Sequence, residues 1–188
     1  MRKYVSGILQ ENSYQVIEAC NGKDAWQKAY DLIPDLVLSD IMMPVEDGIS
    51  LCKNIKGNML TSHIPVILLS AKAGNYDIMK GLKHQADDYI TKPFSSDILI
   101  SRIKNLINSR DNLKKIYRQR FLATNTSMKE PAFDDEKFLL KVKNEIESNL
   151  ENSNFNVEAL VDKIGYSRAQ LNRKLKVLIN RSPYELIK

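Results

Sequence analysis

Over the first 108 residues the apolar positions alternate between two periods. Short, nearly continuous apolar runs at residues 14–19, 35–39, 65–71 and 88–91 read as strands buried on both faces. Between them, residues 22–33, 48–55 and 76–84 carry apolar side chains three or four apart, the spacing of amphipathic helices. This alternation predicts a doubly wound α/β domain, a parallel sheet covered by helices on both faces. The chain opens on a helix pattern, because residues 1–11 place Tyr4, Val5, Ile8 and Leu9 at helical spacing with no strand ahead of them. The first strand of such a sheet is normally central, so the pattern predicts a sheet missing that strand, with a gap in its core and unmatched backbone donors and acceptors.

From residue 95 a helix pattern runs to 121. Leu99, Ile103, Leu106, Arg110, Leu113 and Tyr117 recur at spacings of four and three, a short heptad seam with one basic interruption. Two readings stay open: a final helix packed on the sheet with a frayed tail, or a helix that leaves the domain and forms a homodimer through residues 99–117. Residues 122–133 hold Asn, Thr, Ser, Glu and Pro131 with little periodicity and read as a linker. Three helices are expected beyond it. Residues 134–150 put Phe138, Leu139, Val142 and Ile146 on one face, 156–163 is short and one-sided, and 167–179 follows a break at Gly165.

Composition changes this picture little, and charge changes it more. The chain has 188 residues, 43% apolar and 27% charged, an ordinary globular balance. No apolar run approaches the length of a membrane span, and no basic-then-apolar leader opens the chain, so a cytoplasmic location is expected. Cys20 and Cys52 lie singly in apolar patterns, and His63 and His84 have no cysteine nearby, which argues against a disulfide framework and structural zinc. The net charge of +5 is unevenly spread. Residues 134–162 hold 3 basic and 8 acidic side chains, and residues 163–188 hold 7 and 1. A basic end of this kind suits a polyanion partner.

Ligands of open α/β sheets bind at the carboxyl ends of strands. Asp40 closes the run Leu36-Val37-Leu38, Ser70 closes Val66-Ile67-Leu68-Leu69, and Lys92 closes Tyr89-Ile90-Thr91. Asp40 alone could be a turn former. A carboxylate, a hydroxyl and an ammonium at three successive strand ends instead suit phosphoryl chemistry, with the carboxylate as nucleophile and the other two holding phosphoryl oxygens. At these residues the chain resembles the receiver domain of bacterial two-component response regulators. The run Ser39-Asp40-Ile41-Met42-Met43-Pro44 with Asp47-Gly48, the pair Ser70-Ala71, and the run Ala86-Asp87-Asp88-Tyr89-Ile90-Thr91-Lys92-Pro93-Phe94 carry the likeness over residues 1–108.

The resemblance implies that Asp40 accepts a phosphoryl group from a histidine kinase, Ser70 follows the phosphate, Tyr89 swings inward, and Lys92 pairs with the modified carboxylate. It also implies Mg²⁺, held by Asp40, the backbone carbonyl of Met42 and an acidic pair at the end of the first strand. That pair is missing from this chain, so two family-type ligands remain. Gln85 stands where the family usually has Gly.

In the basic end, residues 157–161, Gly165, Ser167 and Leu171, Leu175 and Leu178 form a helix, a glycine turn and a second helix, a helix-turn-helix with Ser167 as N-cap. With the leucines inward, Ser167, Arg168, Gln170, Arg173 and Lys174 are candidate DNA contacts. A three-helix bundle with a solvated basic face is the alternative. Residues 134–188 also resemble the first half of an AraC-type DNA-binding domain, on Phe155-Asn156-Val157, Tyr166-Ser167-Arg168, the run 171–176 and Ser182-Pro183-Tyr184-Glu185.

The expected organisation is therefore a receiver domain lacking its first strand (1–108), a helical extension and linker (109–133) and a partial AraC-type domain (134–188). The expected function is a response regulator coupling phosphorylation of Asp40 to transcription, not an enzyme, and a fragment of a longer or hybrid regulator. Two rivals are a dimerisation module that is not phosphorylated, and an aspartyl-phosphate-type phosphatase. The phosphatase would need a second Asp two residues after Asp40, where Met42 stands.

Overall fold

The computed structural model describes residues 1–71, 86–122, 134–152 and 154–188. The helix expected over 76–84 and, apart from Leu122, the linker expected over 122–133 lie outside the described residues. The chain divides into two compact units, Met1–Ser109 and Arg110–Lys188.

In the first unit, α1 (Arg2–Glu11) and α2 (Gly22–Leu32) precede β1 (Val37–Asp40), α3 (Gly48–Gly57), β2 (Val66–Ser70), β3 (Asp88–Thr91) and α4 (Ser96–Leu122). The strands form a parallel sheet in the order β1-β2-β3. Strand β2 is central and all five of its residues are buried, which explains the unbroken apolar run that precedes Ser70. Alternation along the strands separates two faces. Ile67, Leu69 and Ile90 pack against Val5 and Ile8 of α1 and Leu99, Ile100 and Ile103 of α4. Helix α3 also packs on β2, burying Leu51, Cys52 and Ile55, and α2 packs on α3. Asn21 and Asp47 cap α2 and α3 by accepting from the Asp24 and Ser50 amides.

Residues 14–19 correct the sequence reading, because they form no strand. A strand exists only through its ladder, and apolar content alone cannot supply one. None of the described strands pairs with this segment. Side chains take its carbonyls instead: Arg2 donates to Ala19 at 2.9 Å and Lys28 to Glu18 at 2.8 Å.

The second unit contains the end of α4, then α5 (Asp134–Glu147), α6 (Val157–Ile164), α7 (Arg168–Ile179) and α8 (Pro183–Ile187). Its core joins Tyr117 to Phe138, Leu139 and Val142 of α5, Leu160 and Ile164 of α6, and Leu171, Leu175 and Leu178 of α7. Helix α8 went unanticipated, although Ser182-Pro183-Tyr184-Glu185 is a capping box with Pro at the first helical position. The seam over residues 99–117 divides between the two units. Leu99 and Ile103 are buried against the sheet and Tyr117 in the core of the second unit, so three of its positions are already packed. Leu113 and Ile116 are exposed.

Candidate phosphoacceptor site and basic helix

The ladder brings the expected strand-end residues together. Asp40 stands opposite Leu69, which stands opposite Ile90, and one step further Ser70 faces Thr91. Past the strand ends the amides of Ile41 and Lys92 still donate to the carbonyls of Leu69 and Ser70, which fixes where each side chain leaves the sheet. The Lys92 ammonium binds the Asp40 carboxylate through Oδ2. The amide of Met42 donates to Asp40 Oδ1 at 3.2 Å, while the Met42 side chain is exposed. Ser70 is buried beside this pair in the ladder.

The loop after β1 is built tightly under Asp40. Gly48 opens α3 directly against that loop: a Cβ there would lie 2.2 Å from the Asp40 carbonyl oxygen and 3.0 Å from Ser39 Oγ. Only glycine permits the approach. Val45 sits in the same loop at φ +70°, a left-handed conformation that a β-branched residue adopts at a cost. Neither requirement is visible as an apolar or polar pattern.

Tyr89 lies one residue before the Asp40–Leu69–Ile90 row. Its hydroxyl is buried with no hydrogen-bond partner among the described residues. Burial, followed by the nearby Cys52 and Asp87 charges, pushes its phenol up to about 12. A buried hydroxyl without a partner is poorly satisfied where it stands. Behind the site Lys56 of α3 pairs with Asp87 at 2.6 Å and donates to the Ile64 carbonyl at 2.8 Å, while Asp87 accepts from the Val66 amide at 2.7 Å. This brace between α3 and the starts of β2 and β3 was missed in the sequence.

Of the Mg²⁺ donors that the resemblance implies, the chain carries two, at Asp40 and Met42. Among the described residues no three His, Cys, Asp or Glu side chains cluster as a metal site, and an ammonium already occupies Asp40. Magnesium demands near-octahedral oxygen ligation. The residues present do not make up a magnesium site.

In the second unit, α6 ends on Gly165 at φ +83°, a left-handed C-cap, and Ser167 and Gln170 form a capping box at the start of α7. Ser167 Oγ accepts from the Gln170 amide and Gln170 Oε1 from the Ser167 amide, so both side chains serve the cap. Arg168, Asn172, Arg173 and Lys176 are exposed on α7. Arg168 pairs with Glu158 at 2.7 Å and Lys176 with Glu185 at 3.5 Å. Lys174 corrects the sequence reading. It is fully buried, donates to Asp135 Oδ1 at 3.1 Å and lies 5.0 Å from the Phe138 ring centre, so it presents nothing to DNA. The sequence did carry the signal, since 171, 174, 175 and 178 share one helical stripe.

A parallel sheet with a lysine-paired aspartate at its carboxyl edge and a hydroxyl at the next strand end is a receiver-like α/β arrangement. Residues 1–104 match the response regulator receiver domain, and the chain belongs to that family. It is 35% identical over 187 residues to histidine kinase P4 of Formosa agariphila, an alignment that takes in all of this chain and 14% of that protein. It is 40% identical over 104 residues to the phosphate regulon transcriptional regulatory protein PhoB of Escherichia coli K12, 55% of this chain and 45% of that protein. It is also similar to the crystal structure of the receiver domain of a signal transduction histidine kinase from Syntrophus aciditrophicus. That match has 32% identity and a TM-score of 0.55, covering 70% of this chain and 90% of that one. The chain thus spans less than half the length of either curated relative. Receiver domains take their phosphoryl groups from histidine kinases, and the family is one of regulators. Among the described residues no helix is long and apolar enough to cross a membrane.

Proposed function

We propose that the chain is the receiver and adjoining output segment of a two-component regulator, with Asp40 as phosphoacceptor and the second unit as a DNA-binding element. The observation that carries the first half is the ion pair of Lys92 with Asp40 at the strand ends, next in the ladder to Ser70. In the proposed step a carboxylate oxygen of Asp40 attacks phosphorus, the bond to the kinase histidine nitrogen breaks, and that nitrogen keeps the electron pair. Lys92 neutralises charge on the acyl phosphate, and Ser70 donates a charge-assisted hydrogen bond to a phosphoryl oxygen. Movement of Ser70 opens room for Tyr89, whose hydroxyl has no partner among the described residues and gains by moving. With beryllofluoride as phosphoryl mimic, amide resonances of Asp40, Ser70 and Tyr89 should shift together. Shifts at Asp40 with Ser70 and Tyr89 unmoved would refute the switch.

Mg²⁺ supplies charge neutralisation for such a transfer when bound. With two donors of the set, this chain should show no saturable Mg²⁺ binding in a titration, and an N-terminal extension ending in an acidic pair should create it. The phosphatase reading is disfavoured, since the thioether of Met42 cannot act as a general acid two residues after Asp40.

The second half of the proposal rests on α6, the Gly165 turn and α7 as a helix-turn-helix of AraC type, with Arg168, Asn172, Arg173 and Lys176 toward the duplex. The carboxylate partners of Arg168 and Lys176 are exposed pairs of little intrinsic worth, which phosphates can replace. Replacing Arg168, Arg173 and Lys176 together by alanine should flatten the salt slope of duplex binding by about 2 to 3. Equal slopes for native and variant chains would reduce the basic helix to a solvated surface.

A further inference from the structure

Residues 163–188 hold 7 basic side chains and 1 acidic one, Glu185, and that one is bonded to Lys176 of the basic helix. Its carboxylate is fixed in place. In the capping box of α8, Glu185 Oε2 accepts from the Ser182 amide at 2.6 Å and from Ser182 Oγ at 2.8 Å, and the Lys176 ammonium lies 3.5 Å from the same oxygen. The Ser182 amide, and then its hydroxyl, hold the Glu185 carboxyl down at about 2, so it stays ionised well below neutral pH. The other end of α7 repeats the arrangement. Arg168 pairs at 2.7 Å with Glu158, from the first turn of α6, and both side chains are largely exposed.

Arg168, Asn172 and Lys176 recur every four residues, which sets them along one stripe of α7. The cation at each end of this stripe is tied to a carboxylate from a neighbouring helix, and the exposed side chain between them is an uncharged amide. Exposed ion pairs add little to stability. Their effect falls on what the cations can bind. A phosphate that takes Arg168 or Lys176 must displace a carboxylate and then lie close to it, like charge beside like charge. The amide of Asn172, which can donate and accept at a base edge, meets no such opposition.

We propose that Glu158 and Glu185 act as a brake on non-specific nucleic-acid binding, each withholding one end cation of the α7 stripe from phosphate. They are positioning residues, since they act through Arg168 and Lys176. Specificity is a difference of affinities, and weakening the sequence-independent contribution widens it. The proposal rests on the DNA reading of the second unit given above.

The test is titration of a labelled mixed-sequence DNA duplex with the full chain at two salt concentrations. Glu158→Gln and Glu185→Gln keep side-chain length, and glutamine serves the α8 capping box as glutamate does. Each should bind about threefold tighter than the native chain at low salt and the two together about tenfold, because separate sites add in free energy. The gain should shrink at higher salt as the carboxylates are screened. Glu147→Gln removes the same charge from an α5 pair with Lys143, 3.8 Å apart, and should leave binding unchanged. Glu158→Gln should have no effect in an Arg168→Ala chain, nor Glu185→Gln in a Lys176→Ala chain. An equal gain from Glu147→Gln, or full gains in the alanine backgrounds, would reveal a net-charge effect and overturn the proposal. So would glutamine variants that bind no tighter than a native chain that does bind, and the DNA reading would then stand. If neither the native chain nor the double glutamine chain binds the duplex at low salt, the DNA reading fails and the proposal with it.

Discussion

Gly48→Ala and Gly57→Ala are the same chemical change in the same helix, and they should have opposite signs. At Gly57 nothing lies within 4 Å of an added Cβ, so the substitution should yield the ordinary helix preference of alanine over glycine, about 0.8 to 1 kcal/mol. At Gly48 the same methyl would sit 2.2 Å from the backbone oxygen of Asp40 and 3.0 Å from its carbonyl carbon. No rotamer relieves a clash with backbone, so the loop carrying Asp40 must move. An overlap this deep with backbone lies at the upper end of the overpacking cost, about 3 kcal/mol, and after the helix preference is credited the net loss is about 2 kcal/mol. For a unit of this size that corresponds to a fall of roughly 4 °C or more in Tm, against a smaller rise for Gly57→Ala. The assay is thermal unfolding followed by the fluorescence of Trp26, the chain's one tryptophan, which lies on α2 against α3 and so reports the first unit. A Gly48→Ala chain as stable as native would refute the close approach of α3 to Asp40.

Three further outcomes follow from the same packing. Val45→Gly should stabilise by about 0.5 to 1 kcal/mol in urea unfolding, because relief of the left-handed strain exceeds the entropy cost of glycine and the exposed Val45 side chain contributes little; a destabilised variant would remove the strain argument. Cys20 is exposed and Cys52 fully buried, with the Cys52 thiol pushed by burial up to about 11. A disulfide reagent at pH 8 should therefore modify Cys20 and spare Cys52. The unfolded thiol ionises first, so the Cys52 contribution to stability is intact below pH 9 and is lost as pH rises toward 11; equal reactivity of both thiols in the folded chain would contradict this. Lys56→Met should cost about 2 to 3 kcal/mol by leaving Asp87 without its ammonium, and adding Asp87→Asn should cost less than the sum of the single changes; strict additivity would show the brace is not a unit.

Strands β1 to β3 were legible because each is an apolar run closed by a polar residue, and the strand-end set Asp40, Ser70 and Lys92 followed from their positions alone. Residues 14–19 carry the same apolar signal and form no strand, because a ladder is a property of two segments and the pattern records one. Lys174 shows the reverse failure. Its spacing from Leu171 and Leu178 placed it inward, but a cation at an apolar position was read by its charge, and its partner Asp135 lies 39 residues away. The heptad spacing over 99–117 was real and ambiguous: three-and-four spacing serves a sheet-facing helix as well as a dimer seam, and Leu99 and Ile103 face the sheet. Gly48 and Val45 were invisible as constraints because contact with backbone and left-handed φ leave no periodic trace.

The most direct test of the central claim is to locate the phosphoryl group. The chain is incubated with Mg²⁺ and a small-molecule phosphodonor, with and without an N-terminal extension that supplies an acidic strand end, and the acyl phosphate is trapped by borohydride reduction and mapped by mass spectrometry. The account predicts modification at Asp40, weak for the 188-residue chain, stronger with the extension, and absent in Asp40→Asn. Modification of another residue, or a label that persists undiminished in Asp40→Asn, would contradict it.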